Sequence, residues 1–135
     1  MSHRVKRPQP LPDAPSIDDD LAQAVAMTSQ AFATPSRVRI LGRLWKSPAT
    51  VSLLAIDVGM EQSAVSHQLQ ILRHLRLVRS RREGRTTIYA LMDDHVAVML
   101  NQAIYHVEHL RLGGDPERAN GSAHEPVRRS RSPGA

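Results

Sequence analysis

Residues 50–76 read TVSLLAIDVGMEQSAVSHQLQILRHLR and combine a short helical pattern, a glycine and a longer helical pattern. Thr50 is a suitable N-cap for the first helix, which we predict over about 50–58. Gly59 can supply the positive φ of a C-terminal cap. We predict the second helix from Gln62 to about Arg76. A short helix, a glycine turn and a second helix form a helix-turn-helix motif.

The second helix has two chemically different faces. Its apolar stripe consists of Val65, Leu69, Leu72 and either Leu75 or Arg76. The opposite stripe is polar and holds Gln62, Ser63, Ser66, His67, Gln70 and Arg73. Amides and hydroxyls can read base edges in the major groove, and a cation can contact phosphate. We therefore predict these six residues as DNA contacts; the alternative is an ordinary solvated face.

An alternating stretch follows the motif and predicts a β-hairpin. The strands would cover 77–82 and 85–91 around a turn at Glu83-Gly84. Its tip carries Arg81, Arg82 and Arg85, as expected of a basic wing that touches the minor groove or the backbone. Residues 60–90 hold six arginines against two glutamates, so most of the formal net charge of +5 is concentrated there. Such focused positive charge favours a nucleic-acid partner over a merely solvated surface.

The remaining segments complete a mainly α-helical protein with one small β-hairpin, a winged helix-turn-helix that dimerises through its terminal helices. We predict a first helix over Asp18–Ala33 and a second from Pro35 to about Lys46, with Thr34 as N-cap. The second would bury Val38, Leu41 and either Leu44 or Trp45. A last helix is predicted over 94–111. Residues 1–16 are predicted to form a flexible basic, proline-rich arm, 17–112 the folded domain and 113–135 a disordered tail.

Composition excludes several classes of protein. The 135 residues contain no cysteine, which excludes disulfide scaffolds, thiolate metal sites and thiol catalysis. No apolar run approaches the length of a membrane span and no signal peptide is recognisable, so we expect a soluble, cytoplasmic protein without a membrane partner. No zinc-hydrolase motif, catalytic triad or phosphate-binding loop is present. We therefore expect no enzymatic activity and no small-molecule substrate.

The last helix carries a candidate metal site made of Asp93, His95, His106 and His109. The three histidines share one strip of the helix, beside an apolar arc formed by Val96, Met99, Leu100, Ala103, Ile104, Val107 and Leu110. Eleven residues of helix rise about 16 Å, so the two pairs cannot reach one ion within a single chain. Two copies packed antiparallel about a two-fold axis would bring them together in two equivalent sites. Nitrogen-rich ligands suit Zn, Ni or Co; the alternative is that these histidines only cap and pack.

Residues 20–112 resemble the ArsR/SmtB winged-helix repressors. Residues 60–69 are similar to that family's recognition helix, and Asp93-x-His95 followed by His106-x-x-His109 is similar to the last-helix site of its metal sensors. The resemblance implies a homodimer that binds an inverted-repeat operator when metal-free and is released by metal. The surrounding residues look most like the nickel- and cobalt-sensing members.

The details of the resemblance define the alternatives. In the nickel- and cobalt-sensing members the N-terminal arm is thought to add ligands, which would make His3 a ligand of Ni(II) or Co(II) here. Zinc-sensing members use the same four last-helix residues for Zn(II). Thr50 and Ser52 occupy the region where other members place thiolates, so arsenic, lead or cadmium sensing is not expected. A winged-helix repressor that does not sense metal is the remaining alternative.

Overall fold

The computed structural model describes residues 11–112, which form five α-helices, a short 3-10 helix and three strands. The elements are α1 (Asp19–Ser29), a 3-10 helix (Gln30–Phe32), α2 (Pro35–Lys46), β1 (Ala49–Thr50), α3 (Val51–Val58), α4 (Gln62–His74), β2 (Val78–Glu83), β3 (Thr86–Leu91) and α5 (Asp94–Arg111). The predicted helices are all present. The first is split because its last turn tightens into the 3-10 helix, and α4 ends two residues before the predicted Arg76.

Local capping explains where the central helices begin and end. The Thr34 side chain accepts a hydrogen bond from the Arg37 N–H at 3.3 Å, with Pro35 in the first turn of α2. The Thr50 side chain accepts from the Leu53 N–H at 3.2 Å and starts α3. Gly59 ends α3 with a φ of 69°. All three predicted caps are confirmed.

The hairpin turn lies one residue later than predicted. Glu83 belongs to β2 and pairs with Thr86, so the tight turn consists of Gly84 and Arg85. Gly84 has a φ of 61°, the positive value that the first central residue of a type II′ hairpin turn requires. The sequence did not predict β1, whose Ala49 and Thr50 pair with β3 and give the antiparallel sheet the order β1-β3-β2.

One aliphatic core joins the helix-turn-helix to the sheet. Its members come from the 3-10 helix, all helices but α1, strands β1 and β2 and the residue before β2. They are Ala31, Ile40, Leu41, Leu44, Ala49, Leu54, Ala55, Val65, Leu69, Leu72, Leu77, Val78, Val96 and Leu100. The predicted buried stripe of α4 is thus confirmed at Val65, Leu69 and Leu72, whereas Leu75 is half-buried and Arg76 is exposed. In α2, Leu44 rather than Trp45 is buried, and Val38 is only half-buried.

Two apolar segments lack cover within one chain. Helix α1 has no buried residue, and its Leu21, Val25 and Met27 are exposed. The chain divides into two compact units after Gln102, inside α5. Before that point the predicted apolar arc of α5 is anchored by Val96 and Leu100, and after it the arc is exposed at Ile104, Val107 and Leu110.

The predicted terminal segments fall largely outside the described residues. Residues 11–17 are exposed and lie in no helix or strand. Residues 1–10 and the predicted tail 113–135 are not described, so the division into arm, domain and tail stays a prediction. No helix within residues 11–112 is long and apolar enough to cross a membrane.

Candidate DNA-reading surface and metal-ligand groups

Backbone hydrogen bonds close the end of α3 at the turn. The Gly59 and Met60 N–H groups both donate to the Ala55 carbonyl, the latter at 3.0 Å. Ala55 is buried, and its small side chain leaves room for α4 to pack closely against α3. The closed turn and the packing between α3 and α4 orient the two helices, as a helix-turn-helix needs in order to present its second helix to DNA.

A salt bridge also fixes α3 to α2. The Arg43 Nε donates to the Asp57 Oδ2 at 2.5 Å, and the same guanidinium donates to the Ser47 carbonyl at 3.0 Å. The Arg43 side chain is only 14% exposed. Sequence reasoning missed this pair, because residues fourteen apart on different helices carry no periodic signal.

The predicted reading face of α4 is on the protein surface. Five of its six residues are exposed and Ser66 is half-buried; the set is Gln62, Ser63, Ser66, His67, Gln70 and Arg73. This face is opposite the buried Val65, Leu69 and Leu72, so α4 is amphipathic in the way the sequence predicts. The exposure of the six residues is what DNA contact requires, and their contacts with bases and phosphates stay predictions.

The three predicted wing arginines are all exposed, but they differ in charge environment. The Arg81 guanidinium pairs with the Glu83 carboxylate at 2.8 Å across exposed surface. Within residues 11–112 no ion pair involves Arg82 or Arg85. Arg85 lies in the turn itself, at the tip of the hairpin.

Asp93 and His95 come together at the start of α5. The Asp93 Oδ1 accepts a hydrogen bond from the His95 backbone N–H at 2.9 Å. This bond aims the carboxylate at the His95 ring, whose Nδ1 lies 3.4 Å from the same oxygen. Both side chains are largely exposed, so the pair is open to a ligand.

The spacing of this pair fits two donors on one metal ion. Donors with bonds of about 2.1 Å lie about 3.0 Å apart at a right angle and about 3.4 Å apart at the tetrahedral angle. A carboxylate oxygen and an imidazole nitrogen are ordinary ligands of zinc, nickel and cobalt. Asp93 and His95 therefore fit half of such a site with little movement.

His106 and His109 occupy the other end of α5. Both are exposed, and the His109 ring stacks on Tyr105 with a centroid distance of 6.1 Å and an interplanar angle of 10°. Nowhere in the described chain do three or more metal-ligating side chains converge on one point. The remaining candidate ligand, the arm residue His3, lies outside the described residues.

Comparison with known proteins assigns the family. The model of the family "Bacterial regulatory protein, arsR family" matches residues 34–80, which span α2 to β2. The chain is 56% identical to the transcriptional regulator NmtR of Mycobacterium tuberculosis over 102 residues, which cover 76% of this chain and 84% of the relative. The chain belongs to the arsR family of bacterial transcriptional regulators. The prediction of a DNA-binding regulator rather than an enzyme is thereby confirmed.

Further arsR-family relatives agree in sequence and fold. A transcriptional repressor SmtB homologue from Synechocystis is 40% identical over 97 residues, 72% of either chain. The solution structure of apo-NmtR matches with a TM-score of 0.60 and 51% identity, covering 78% of this chain and 88% of that one.

The homodimeric winged helix-turn-helix DNA-binding domain of Mb0332 from Mycobacterium bovis matches with a TM-score of 0.64 and 28% identity, over 71% and 91% of the two chains. The predicted fold class, a winged helix-turn-helix, is therefore confirmed.

Proposed function

We propose that this arsR-family regulator is a homodimeric, metal-responsive repressor. It binds operator DNA when metal-free and releases it when Ni(II) or Co(II) binds at sites shared between the last helices of the two subunits. The observation that carries this proposal is the preformed Asp93–His95 pair, with its oxygen and nitrogen 3.4 Å apart.

The remaining ligands come from the partner subunit. Helix α5 is continuous from Asp94 to Arg111. His95 and His106 are therefore about 16 Å apart along one helix axis, too far for a common ion. In an antiparallel pair of α5 helices, Asp93 and His95 of one subunit face His106 and His109 of the other. A two-fold axis repeats the arrangement, so each dimer holds two sites.

Exposed apolar surface supports the dimer independently of the ligands. Large aliphatic side chains on α1 and on the second half of α5 are exposed in one chain, and burying them against a second copy is favourable. The Mb0332 domain, which has the same fold, is homodimeric.

DNA release follows from the geometry of a dimer that reads two half-sites. The two α4 helices enter successive major grooves of an inverted repeat, while the wing arginines contact the backbone or minor groove. The four ligands, when bound to one ion, fix the two α5 helices in a spacing that no longer suits both α4 helices. Because the coupling is reciprocal, operator DNA weakens metal affinity by the same factor. A protein with this role acts on the chromosome, in the cytoplasm.

Zinc is the second candidate effector. The last helix supplies four ligands without the arm, and four ligands suit tetrahedral zinc. Nickel or cobalt would accept additional ligands from the arm, including His3. The absorption spectrum of the Co(II) complex distinguishes the two, because six-coordinate cobalt gives weak bands and four-coordinate cobalt gives strong ones.

The test is operator release with a single ligand removed. An operator duplex is first selected from random DNA with the metal-free protein, and its affinity is measured by fluorescence anisotropy with and without Ni(II), Co(II) or Zn(II). We expect His106→Ala to abolish metal-induced release while metal-free affinity stays within about twofold, because His106 is not among the predicted DNA contacts. Gln102→Ala, exposed one turn earlier on the same helix, is the control and should release normally. Normal release by His106→Ala would contradict the site assignment.

A further inference from the structure

One arginine connects three elements of the DNA-binding unit. The Arg37 Nε donates to the side-chain Oε1 of Gln68 on α4 at 2.8 Å. Its NH1 donates to the backbone carbonyl of Gln30, at the end of α1, also at 2.8 Å. Arg37 itself lies in the first turn of α2 and is partly buried. A single planar guanidinium therefore spans from the N-terminal helix to the recognition helix.

The planar group makes this a stiff connection. The five N–H donors of a guanidinium are held in one plane, so two acceptors bonded to it cannot shift independently. Gln68 borders the buried stripe of α4, three residues after Val65 and four before Leu72. Its side chain is used by Arg37 and is separate from the six predicted DNA contacts. The two hydrogen bonds therefore give a direct polar connection from Gln30 to the body of α4.

The other end of the connection is a helix with little anchoring of its own. Helix α1 has no buried residue and packs mainly on the 3-10 helix that follows it. The 3-10 helix is fixed by Ala31, which is fully buried, and by the partly buried Phe32. Hydrogen bonds from Arg37 connect Gln30, which follows α1, to Gln68 of α4.

We propose that Arg37 is a positioning residue that transmits changes at α1 to the recognition helix. This inference rests on the proposed function. Rearrangement of the dimer moves the end of α1, and the hydrogen bonds that join Gln30, Arg37 and Gln68 convert this movement into a reorientation of α4. Arg37 is neither a candidate metal ligand nor one of the predicted DNA contacts. Its contribution lies in the coupling between the two binding events.

The test measures that coupling in the full-length protein. The quantity is the ratio of operator affinities without and with Ni(II), together with the Ni(II) affinity of DNA-free protein. Coupling factors in allosteric proteins commonly lie between about 5 and 150. We expect Gln68→Leu and Arg37→Met each to lower the ratio about tenfold, while Ni(II) affinity and metal-free operator affinity stay within about threefold. The ratio of the double variant should be no lower than that of either single variant, because both substitutions remove the same Arg37–Gln68 hydrogen bond.

Matched controls separate transmission from folding. Arg39→Met removes the same charge from an exposed position on the same helix and should leave the ratio unchanged. Arg37→Lys keeps the charge but cannot reproduce the planar two-donor geometry, so it should behave like Arg37→Met. Amide hydrogen exchange adds a direct readout: Ni(II) should change exchange in both Gln30–Ala33 and α4 of the wild type, but only in Gln30–Ala33 of Gln68→Leu.

The outcomes distinguish failure of the proposed function from failure of the role proposed for Arg37. A wild-type ratio of one would overturn the proposed function and this inference with it. A large wild-type ratio that persists in Gln68→Leu and Arg37→Met would overturn only the inference. A lowered unfolding midpoint with an unchanged ratio would assign Arg37 a purely structural role, which also contradicts the proposal.

Discussion

Arg76 adopts a left-handed backbone conformation just after the recognition helix, with a φ of 59°. The Leu77 N–H bonds to the Leu72 carbonyl and the Arg76 N–H to the Arg73 carbonyl, both at 3.0 Å, which is the Schellman pattern. Leu72 and Leu77 are buried together beneath it. The motif usually places glycine at this position, because a Cβ is strained there. The chain therefore tolerates local strain where α4 passes into the wing.

Replacing this residue by glycine should stabilise the protein. The strain of a non-glycine residue here is about 1–2 kcal/mol, and the extra backbone freedom of unfolded glycine offsets about 0.4–1 kcal/mol of it. We expect Arg76→Gly to raise the free energy of unfolding by about 0.5–1 kcal/mol. Chemical denaturation at one fixed protein concentration measures this, since dimer stability depends on concentration.

Arg76→Ala is the matched control, because it removes the guanidinium but keeps the Cβ. Its unfolding free energy should stay within about 0.5 kcal/mol of the wild type. A gain in the alanine variant as large as in the glycine variant would show that charge, and not backbone strain, limits stability at this position.

At the scale of elements, we predict that the wing supplies DNA contacts that carry no base specificity. Arg85 lies in the tight turn between β2 and β3, and no ion pair within the described residues neutralises it. Arg81, by contrast, shares its charge with Glu83. An arginine on a projecting turn acts mainly through phosphate, so its loss should be felt equally on every DNA sequence.

Arg85→Ala should therefore weaken both operator and random-sequence binding by a similar factor. Removing one arginine–phosphate interaction reduces the steepness of log affinity against log salt by about 0.9, so the two wings of a dimer together account for about 1.8. Lys46→Ala, at the exposed end of α2, removes one charge outside the predicted surface and is the control. An unchanged slope in Arg85→Ala would show that the wing turn does not touch DNA.

The elements that sequence predicted well are those with local signals. Thr34, Thr50 and Gly59 determine the ends of α2 and α3 through bonds within a few residues, and the apolar period of α4 determines its buried face. β1 escaped prediction because two residues pair with a strand about forty positions later. The Arg37–Gln68 hydrogen bond spans 31 residues and depends on how α2 crosses α4, which no periodicity encodes.

In the candidate metal site, too, some features are predictable from the sequence and others are not. The strip of histidines and the spacing of the two ligand pairs follow from helical geometry, so the sequence predicts them. The aim of Asp93 depends on the backbone at the entry to α5, where its carboxylate accepts the His95 N–H. That backbone conformation is irregular and has no periodic signal in the sequence, so only the structure shows that the bond brings the oxygen close to the imidazole.

At the scale of the whole molecule, one chain holds only two halves of the proposed site. The Asp93–His95 pair starts α5, and His106 and His109 lie near its end. Exposed Leu21 and Val25 on α1, and Val107 and Leu110 on α5, provide apolar surface that a second copy can cover. The proposed regulator is therefore complete only as a dimer, in which each subunit supplies one half of each site.

Subunit complementation tests this shared site most directly. One variant carries Asp93→Ala with His95→Ala, the other His106→Ala with His109→Ala, and the heterodimer is co-expressed with two different affinity tags and purified through both. Ligands shared between antiparallel helices predict that neither variant homodimer binds Co(II) at the site, while the heterodimer regains one ion per dimer. A heterodimer that binds no Co(II) would contradict the account, because it would show that each site needs all its ligands from one chain.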